Sequence, residues 1–161
     1  MPEVEARRGG VRDLLGHPTV RRLLADGRFR DCLRRFVDED LVAIKATLFD
    51  KTPASNWRVQ WHQDRGTERT LAVRIHLDEC GADNGPLRVI PGTHKRGKLT
   101  DDEILEVIAS APAIAELHAP QGSILVMRPL LVHASLPARA PAHRRVLHIE
   151  LAPTQSTMTI G

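Results

Sequence analysis

Between residues 70 and 78, Leu71, Val73, Ile75 and Leu77 alternate with Ala72, Arg74, His76 and Asp78. A period of two sends alternate side chains to opposite sides of an extended strand, so this segment packs one side on a core and offers polar groups on the other. The pattern returns at residues 144–151, where Arg145, Leu147, Ile149 and Leu151 oppose Arg144, Val146, His148 and Glu150. Two such strands demand a folded sheet with a polar interior or a polar surface, and most of the remaining chain supplies further strands.

Residues 41–49 are apolar with partial alternation, and 50–56 read as a loop by composition. Further strands are expected at 58–64, 87–90, 123–127 and 130–133. The connections are turn-forming: Arg65-Gly66-Thr67-Glu68, Asn84-Gly85, Pro91-Gly92 and Ala119-Pro120-Gln121-Gly122. Asn84-Gly85 is a favoured hairpin dipeptide. Residues 101–109 read as a helix with an acidic first turn.

The first forty residues have a different period. Val11, Leu14 and Leu15 have helical spacing. His17-Pro18 opens a second helix with Val20, Leu23 and Leu24 on one face, closed by Gly27, and a third is expected through Cys32, Leu33 and Phe36 to about Val37. These short helices should cover one face of a sheet. The chain of 161 residues is therefore expected as one domain, with residues 1–40 a helical flank and 41–152 a β core. The fold class is mainly β, a sandwich or barrel of the jelly-roll, cupin-like type.

Composition removes several functional classes. Residues 1–10 read as a flexible lead-in, and Met1-Pro2-Glu3-Val4-Glu5 followed by Arg7 and Arg8 is not a secretory leader. No apolar run approaches membrane-spanning length, so a cytoplasmic protein is expected. Cys32 and Cys80 lie far apart without metal-binding spacing and are expected as buried free thiols. A net charge of +3 and the arginines near the amino terminus raise the question of nucleic acid. Acids interleave those arginines, Tyr is absent, and the chain has only 3 Phe and 2 Trp for base stacking. A solvated helical face is the better reading.

The chemistry lies in histidine and carboxylate. In Trp61-His62-Gln63-Asp64, His62 and Asp64 share one side of an extended segment while Gln63 turns away. With a histidine from a distant strand, such a pair makes the 2-His-1-carboxylate arrangement that leaves positions open on iron(II). His76/Asp78 and His148/Glu150 have the same spacing. A chain with 8 His and 20 acidic residues yields such a triplet about once by chance, so spacing alone leaves all three open.

Four motifs occur in a recognisable order: Trp61-His62-Gln63-Asp64, then Asn84-Gly85-Pro86-Leu87-Arg88-Val89-Ile90-Pro91-Gly92-Thr93-His94, then Val132-His133-Ala134-Ser135, then Arg144. Over residues 41–152 the chain resembles the phytanoyl-CoA dioxygenase family of iron(II)/2-oxoglutarate-dependent oxygenases, whose fold is a double-stranded β-helix. The resemblance implies that His62, Asp64 and His133 are the iron ligands, since His62/Asp64 stands one strand ahead of the Asn-Gly turn. It implies that Arg144 clamps the far carboxylate of 2-oxoglutarate, with Ser135 beside it. Arg74 faces the same cavity by strand parity and is expected among the cofactor-binding residues, and His148/Glu150 falls to a supporting position. Arg144 and Arg145 are adjacent, and either could be the clamp or lie at a solvated strand end. Asn84, Gly85, Pro91, Gly92 and His94 read as structural, with His94 held by hydrogen bonds.

The implied cofactors are Fe(II), 2-oxoglutarate and O2, the last two as cosubstrates. The implied reaction is oxidation of a small molecule, with hydroxylation favoured over halogenation because Asp64 retains its carboxylate. One departure stands out: relatives carry a longer insertion after the His-x-Asp strand, and here only about residues 65–69 remain. That shortening fits a large substrate, a covering segment from a second subunit in a homodimer, or a non-catalytic cupin-like binding barrel.

Overall fold

The computed structural model describes residues 10–140 and 143–154. The lead-in through Gly9, including Arg7 and Arg8, lies outside them. A 3-10 turn, Leu14–Gly16, precedes helices α1 (Pro18–Ala25) and α2 (Gly27–Arg34). Strands β1 (Leu41–Lys51), β2 (Val59–His62), β3 (Leu71–His76) and β4 (Leu87–Val89) follow. After a second 3-10 turn, Thr93–Arg96, come α3 (Asp101–Ser110), β5 (Ala115–Leu117), β6 (Ile124–Met127), β7 (His133–Ser135) and β8 (Arg144–Pro153).

The strands form two four-stranded antiparallel sheets, ordered β1-β8-β3-β6 and β2-β7-β4-β5. This is a double-stranded β-helix, mainly β with flanking helices. The alternation of β3 and β8 is realised in full. Leu71, Val73, Ile149 and Leu151 face outward onto Val20, Phe29 and Leu33 of α1 and α2. Arg74, His76, Arg144, Val146 and His148 face inward and are buried. The second sheet is backed by α3, whose Ile104 and Val107 pack with Ile90, Val132 and Trp61.

Local chemistry explains where several expected boundaries move. The Asp26 carboxylate accepts from the Arg28 and Phe29 amides, so α1 stops before it and Gly27 opens α2 rather than closing α1. The third helix ends at Arg34, and Phe36 lies exposed instead of on the core face. Val11 does not begin a helix; it bridges to Leu48 at the side of β1. β1 runs on to Lys51, which composition placed in a loop. β8 supplies it with partners as far as the Lys51/Arg144 pair. Residues 128–131 turn, through Leu131 N to Arg128 O, and the strand starts only at His133. Asn84-Gly85 turns the chain but makes no hairpin, because β3 and β4 belong to different sheets. Cys80 is buried as expected, whereas Cys32 is only partly so.

Candidate functional site

His62 ends β2, and β7 lies beside it with His62 registered against His133. The β2/β7 register slips between Val59 and His62, a bulge that turns both Val59 and His62 toward the cavity although their separation is odd. Asp64 follows just past the strand, where its amide donates to Pro129 O at 2.9 Å. Gln63 points away as its parity requires. Its amide nitrogen donates to Gly97 O (2.9 Å) and Leu130 O (2.6 Å), and its carbonyl accepts from Leu99 N (2.8 Å). The residue between the two site groups therefore pins them to the loops on either side.

One nitrogen of His62, one of His133 and a carboxylate oxygen of Asp64 all lie within 4.8 Å of one another. His62 Nε2 is 3.3 Å and His133 Nε2 3.6 Å from Asp64 Oδ1. His62 Nδ1 lies 2.8 Å from Gln60 O, and His133 Nδ1 2.8 Å from Leu131 O. A backbone carbonyl only accepts, so each Nδ1 carries a proton; His133 Nε2 presents a lone pair, and His62 Nε2 does so once it gives up the proton it shares with Asp64. Two imidazole lone pairs and a carboxylate whose buried Oδ2 has no hydrogen-bond partner suit a divalent transition metal.

The electrostatics agree with that donor set. Burial pushes His133 down to about 4, keeping it neutral at physiological pH. The hydrogen bond to Asp64 raises His62. Burial would raise Asp64, but the His62 hydrogen bond first, and then the imidazoles of His133 and His148 around it, hold it well below the usual carboxylate range.

The inward side chains of the larger sheet form rungs. Lys51 is registered with Arg144; Phe49 with Val146 and His76; Thr47 with His148 and Arg74; Lys45 with Glu150 and Ala72. A cavity of about 240 Å³ opens between these rungs and the His62/Asp64/His133 cluster, lined by Arg74, Arg144, Ser135, Leu87, Trp57 and His148 among others. All six residues expected at the site, His62, Asp64, His133, Arg144, Ser135 and Arg74, meet in this one cavity.

The adjacent arginines separate as strand parity demands. Arg144 is buried, donates from Nη1 to Gly85 O, and leaves Nε without a partner. Arg145 lies outside and grips Asp78 through Nε (2.9 Å) and Nη2 (2.7 Å). That ion pair takes Asp78 away from His76, so the second His-x-Asp triplet does not converge. Both His76 nitrogens are buried without a partner, and burial with Arg74 and Arg144 nearby pushes the ring down to about 4. The third triplet does come close: His148 Nε2 sits 3.9 Å from Asp64 Oδ2 and 3.7 Å from Glu150 Oε1.

Sequence reasoning missed Lys51. Its side chain is fully buried and Nζ donates to Ser135 Oγ (3.0 Å) and Leu136 O (2.8 Å), facing the Trp57 ring. Burial first, and then Arg144, push it down to about 7. The signal available was its place at the end of an alternating strand, in phase with Lys45, Thr47 and Phe49. Thr93 was also overlooked. Its hydroxyl donates to Ile90 O (2.8 Å) and accepts from Val132 N (2.9 Å), fixing the residue before His133. His94 makes no hydrogen bond through its ring among the described residues, contrary to expectation.

The family model for phytanoyl-CoA dioxygenase (PhyH) matches residues 3–146. A probable alpha-ketoglutarate-dependent hypophosphite dioxygenase of Stutzerimonas stutzeri is 27% identical over 158 residues, covering 86% of this chain and 54% of the relative. An ectoine dioxygenase of Sphingopyxis alaskensis is 30% identical over 102 residues, covering 55% of this chain and 33% of the relative. The chain thus spans about half or less of the curated relatives it matches. Among solved structures, AviO1 from Streptomyces viridochromogenes Tue57 superposes with a TM-score of 0.77 at 31% identity, covering 96% of this chain and 72% of that one. EctD from S. alaskensis with bound Fe shares the fold, with a TM-score of 0.79 at 23% identity over 91% of this chain and 57% of that one.

Proposed function

The chain belongs to the phytanoyl-CoA dioxygenase family, and on that premise we propose that it is a non-haem iron(II)/2-oxoglutarate-dependent dioxygenase that oxidises a small molecule. The observation that carries this reading is the convergence of His62, Asp64 and His133 to within 4.8 Å at the edge of a cationic cavity. His62 Nε2, His133 Nε2 and the Asp64 carboxylate would hold the metal. When bound, iron(II) supplies the redox centre for oxygen-dependent decarboxylation of the cosubstrate and oxidation of the substrate.

The chain's own residues do the positioning. Arg144 and Lys51 stand side by side across β8 and β1, with Ser135 hydrogen-bonded to Lys51. Together they offer a planar fork, an ammonium and a hydroxyl to the distal carboxylate of 2-oxoglutarate. The Arg144 Nε without a partner is a donor left for that ligand. Phe49, Val59 and Leu87 give the cavity apolar walls that limit water around the reacting groups. The backbone carbonyls of Gln60 and Leu131 fix the tautomers of the two imidazoles.

Hydroxylation is the favoured outcome because Asp64 keeps its carboxylate in the cluster. The relatives whose names give a substrate act on small molecules, hypophosphite and ectoine, and a small substrate also suits the cavity here. We read the helices and both sheets as one domain, since α1 and α2 share a core with β1, β3 and β8. No helix among the described residues is long and apolar enough to cross a membrane. The short connection between β2 and β3 favours a second reading, a binding barrel without turnover.

Anaerobic addition of iron(II) and then 2-oxoglutarate decides between them. A weak visible charge-transfer band is expected in the wild type and in His76→Ala, and not in His62→Ala. A band without 2-oxoglutarate decarboxylation under oxygen, across a panel of small substrates, selects the binding barrel. No band at all refutes the cofactor assignment.

A further inference from the structure

Arg74 is a buried cation without an ion-pair partner among the described residues, and the charge of Asp64 only partly compensates it. Its side chain reaches the cavity from β3 with only 8% of the residue exposed. Nη1 lies 3.4 Å from His148 Nδ1, and Nε is buried without a hydrogen-bond partner. Among the described residues no carboxylate is ion-paired with it. The two acids lining the cavity are engaged elsewhere, Asp64 with His62 and His133, and Glu150 with Lys45 at 2.7 Å. A guanidinium buried without a counter-charge is costly, so the fold holds it there at the expense of stability.

The distal carboxylate of 2-oxoglutarate does not answer this need. That group is met by Arg144 and Lys51, whose rung lies four residues along β8 from the rung of Arg74 and His148. Four residues of strand are about 14 Å between Cα positions, so the two cations enter the cavity from different rungs, although their long side chains still feel one another's charge. Arg74 is the one level with the His62/Asp64/His133 cluster, because its rung partner His148 reaches Asp64. Thr47, on the same rung, has a buried hydroxyl that also lacks a partner.

We propose that the substrate presents an anionic group, a carboxylate or a small oxyanion, to the Arg74 guanidinium beside the metal-binding cluster. The proposal rests on the oxygenase reading above and adds the substrate's charge class to it. The cavity of about 240 Å³ must also hold the cosubstrate, so the anion is compact. The fork of Arg74 matches two oxygens of such a group, and its place at the cluster brings the bonds next to the anion within reach of oxidation.

The test is calorimetric titration under anaerobic conditions with iron(II)-loaded protein, in wild type, Arg74→Gln, Arg74→Lys and Arg144→Gln. 2-Oxoglutarate is titrated first, then acetate or phosphite at fixed ionic strength, with acetamide as the uncharged control. Wild type saturated with 2-oxoglutarate should bind acetate or phosphite saturably and acetamide not at all. Arg74→Gln should weaken the anion at least tenfold while changing 2-oxoglutarate affinity less than threefold, and Arg74→Lys should fall between. Melting curves establish that each variant is folded, and Arg74→Lys, which keeps the charge, decides if Arg74→Gln is not.

A loss of 2-oxoglutarate affinity in Arg74→Gln as large as in Arg144→Gln would give Arg74 to the cosubstrate and overturn the proposal. So would equal binding of acetamide, or no anion binding by wild type. If wild type binds no 2-oxoglutarate, the oxygenase reading fails separately, and Arg74-dependent anion binding still decides the anion site.

Discussion

Lys51 gives the sharpest test of the charge arrangement, because its consequence for stability changes with pH. Its Nζ faces Arg144 from β8 and Arg74 from β3, with Cys80 also near, and it is fully buried. The folded protein holds it at about 7 against a usual 10.5. Between those values the unfolded chain binds a proton that the folded protein does not, so stability rises with pH through this window. The full shift corresponds to about 5 kcal/mol, and relaxation of the surrounding chain reduces this to about 2 kcal/mol. Lys51→Met removes the penalty and also the two hydrogen bonds to Ser135 and Leu136, a loss of about 1 kcal/mol. The variant should therefore be about 1 kcal/mol more stable than wild type at pH 6 and about 1 kcal/mol less stable near pH 10. Urea denaturation of both proteins from pH 6 to 10, without metal or cosubstrate, reads the crossing. Parallel stability curves would refute the reasoning, as would a variant that is less stable throughout. With 2-oxoglutarate bound, the carboxylate neutralises the ammonium and the wild-type slope should flatten.

His62→Ala should lower divalent-metal affinity at least a hundredfold in a competition titration, whereas His76→Ala should leave it within threefold, because Asp78 is held by Arg145. Thr93→Val unpairs the Val132 amide beside His133 and should cost about 1–3 kcal/mol in urea denaturation. Asp78→Ala breaks an ion pair on the outer face and should cost at most about 1 kcal/mol, with metal affinity unchanged; a lost metal site in that variant would show that the second triplet matters after all.

What was legible in the sequence depended on strand parity. The alternation of residues 70–78 and 144–151 set Arg74 and Arg144 on the polar faces of their strands, without deciding whether those faces met a cavity or solvent, and the order of motifs pointed to His62, Asp64 and His133. Parity is local, so it survives without knowledge of partners. Pairing is not local. Lys51 looked like a loop residue because Asp50, Lys51 and Thr52 are polar, and only the register with Arg144 extends β1 over it. Asn84-Gly85 formed its turn but not a hairpin, since the next strand joins the other sheet. The short β5 was invisible because Ala115-Glu116-Leu117 is defined only by β4 beside it.

These two kinds of information bear differently on function. Parity gives which groups enter the cavity, and register gives their depth, and it is depth that separates two tasks for like charges. Lys51 and Arg144 share one rung; Arg74 shares another with His148, level with Asp64. Three buried cations without a paired carboxylate among the described residues are a poor way to stabilise a barrel, and replacing either arginine, or Lys51 below neutral pH, with an apolar side chain of similar size should relieve the ligand-free protein. The same cations become favourable once anions enter, so ligand binding and folding stability are coupled by mass action. A cosubstrate carboxylate held on the Lys51/Arg144 rung would compensate that rung only. The Arg74 rung would retain its charge, and on the proposal above a second anion at Arg74 would supply further stabilisation.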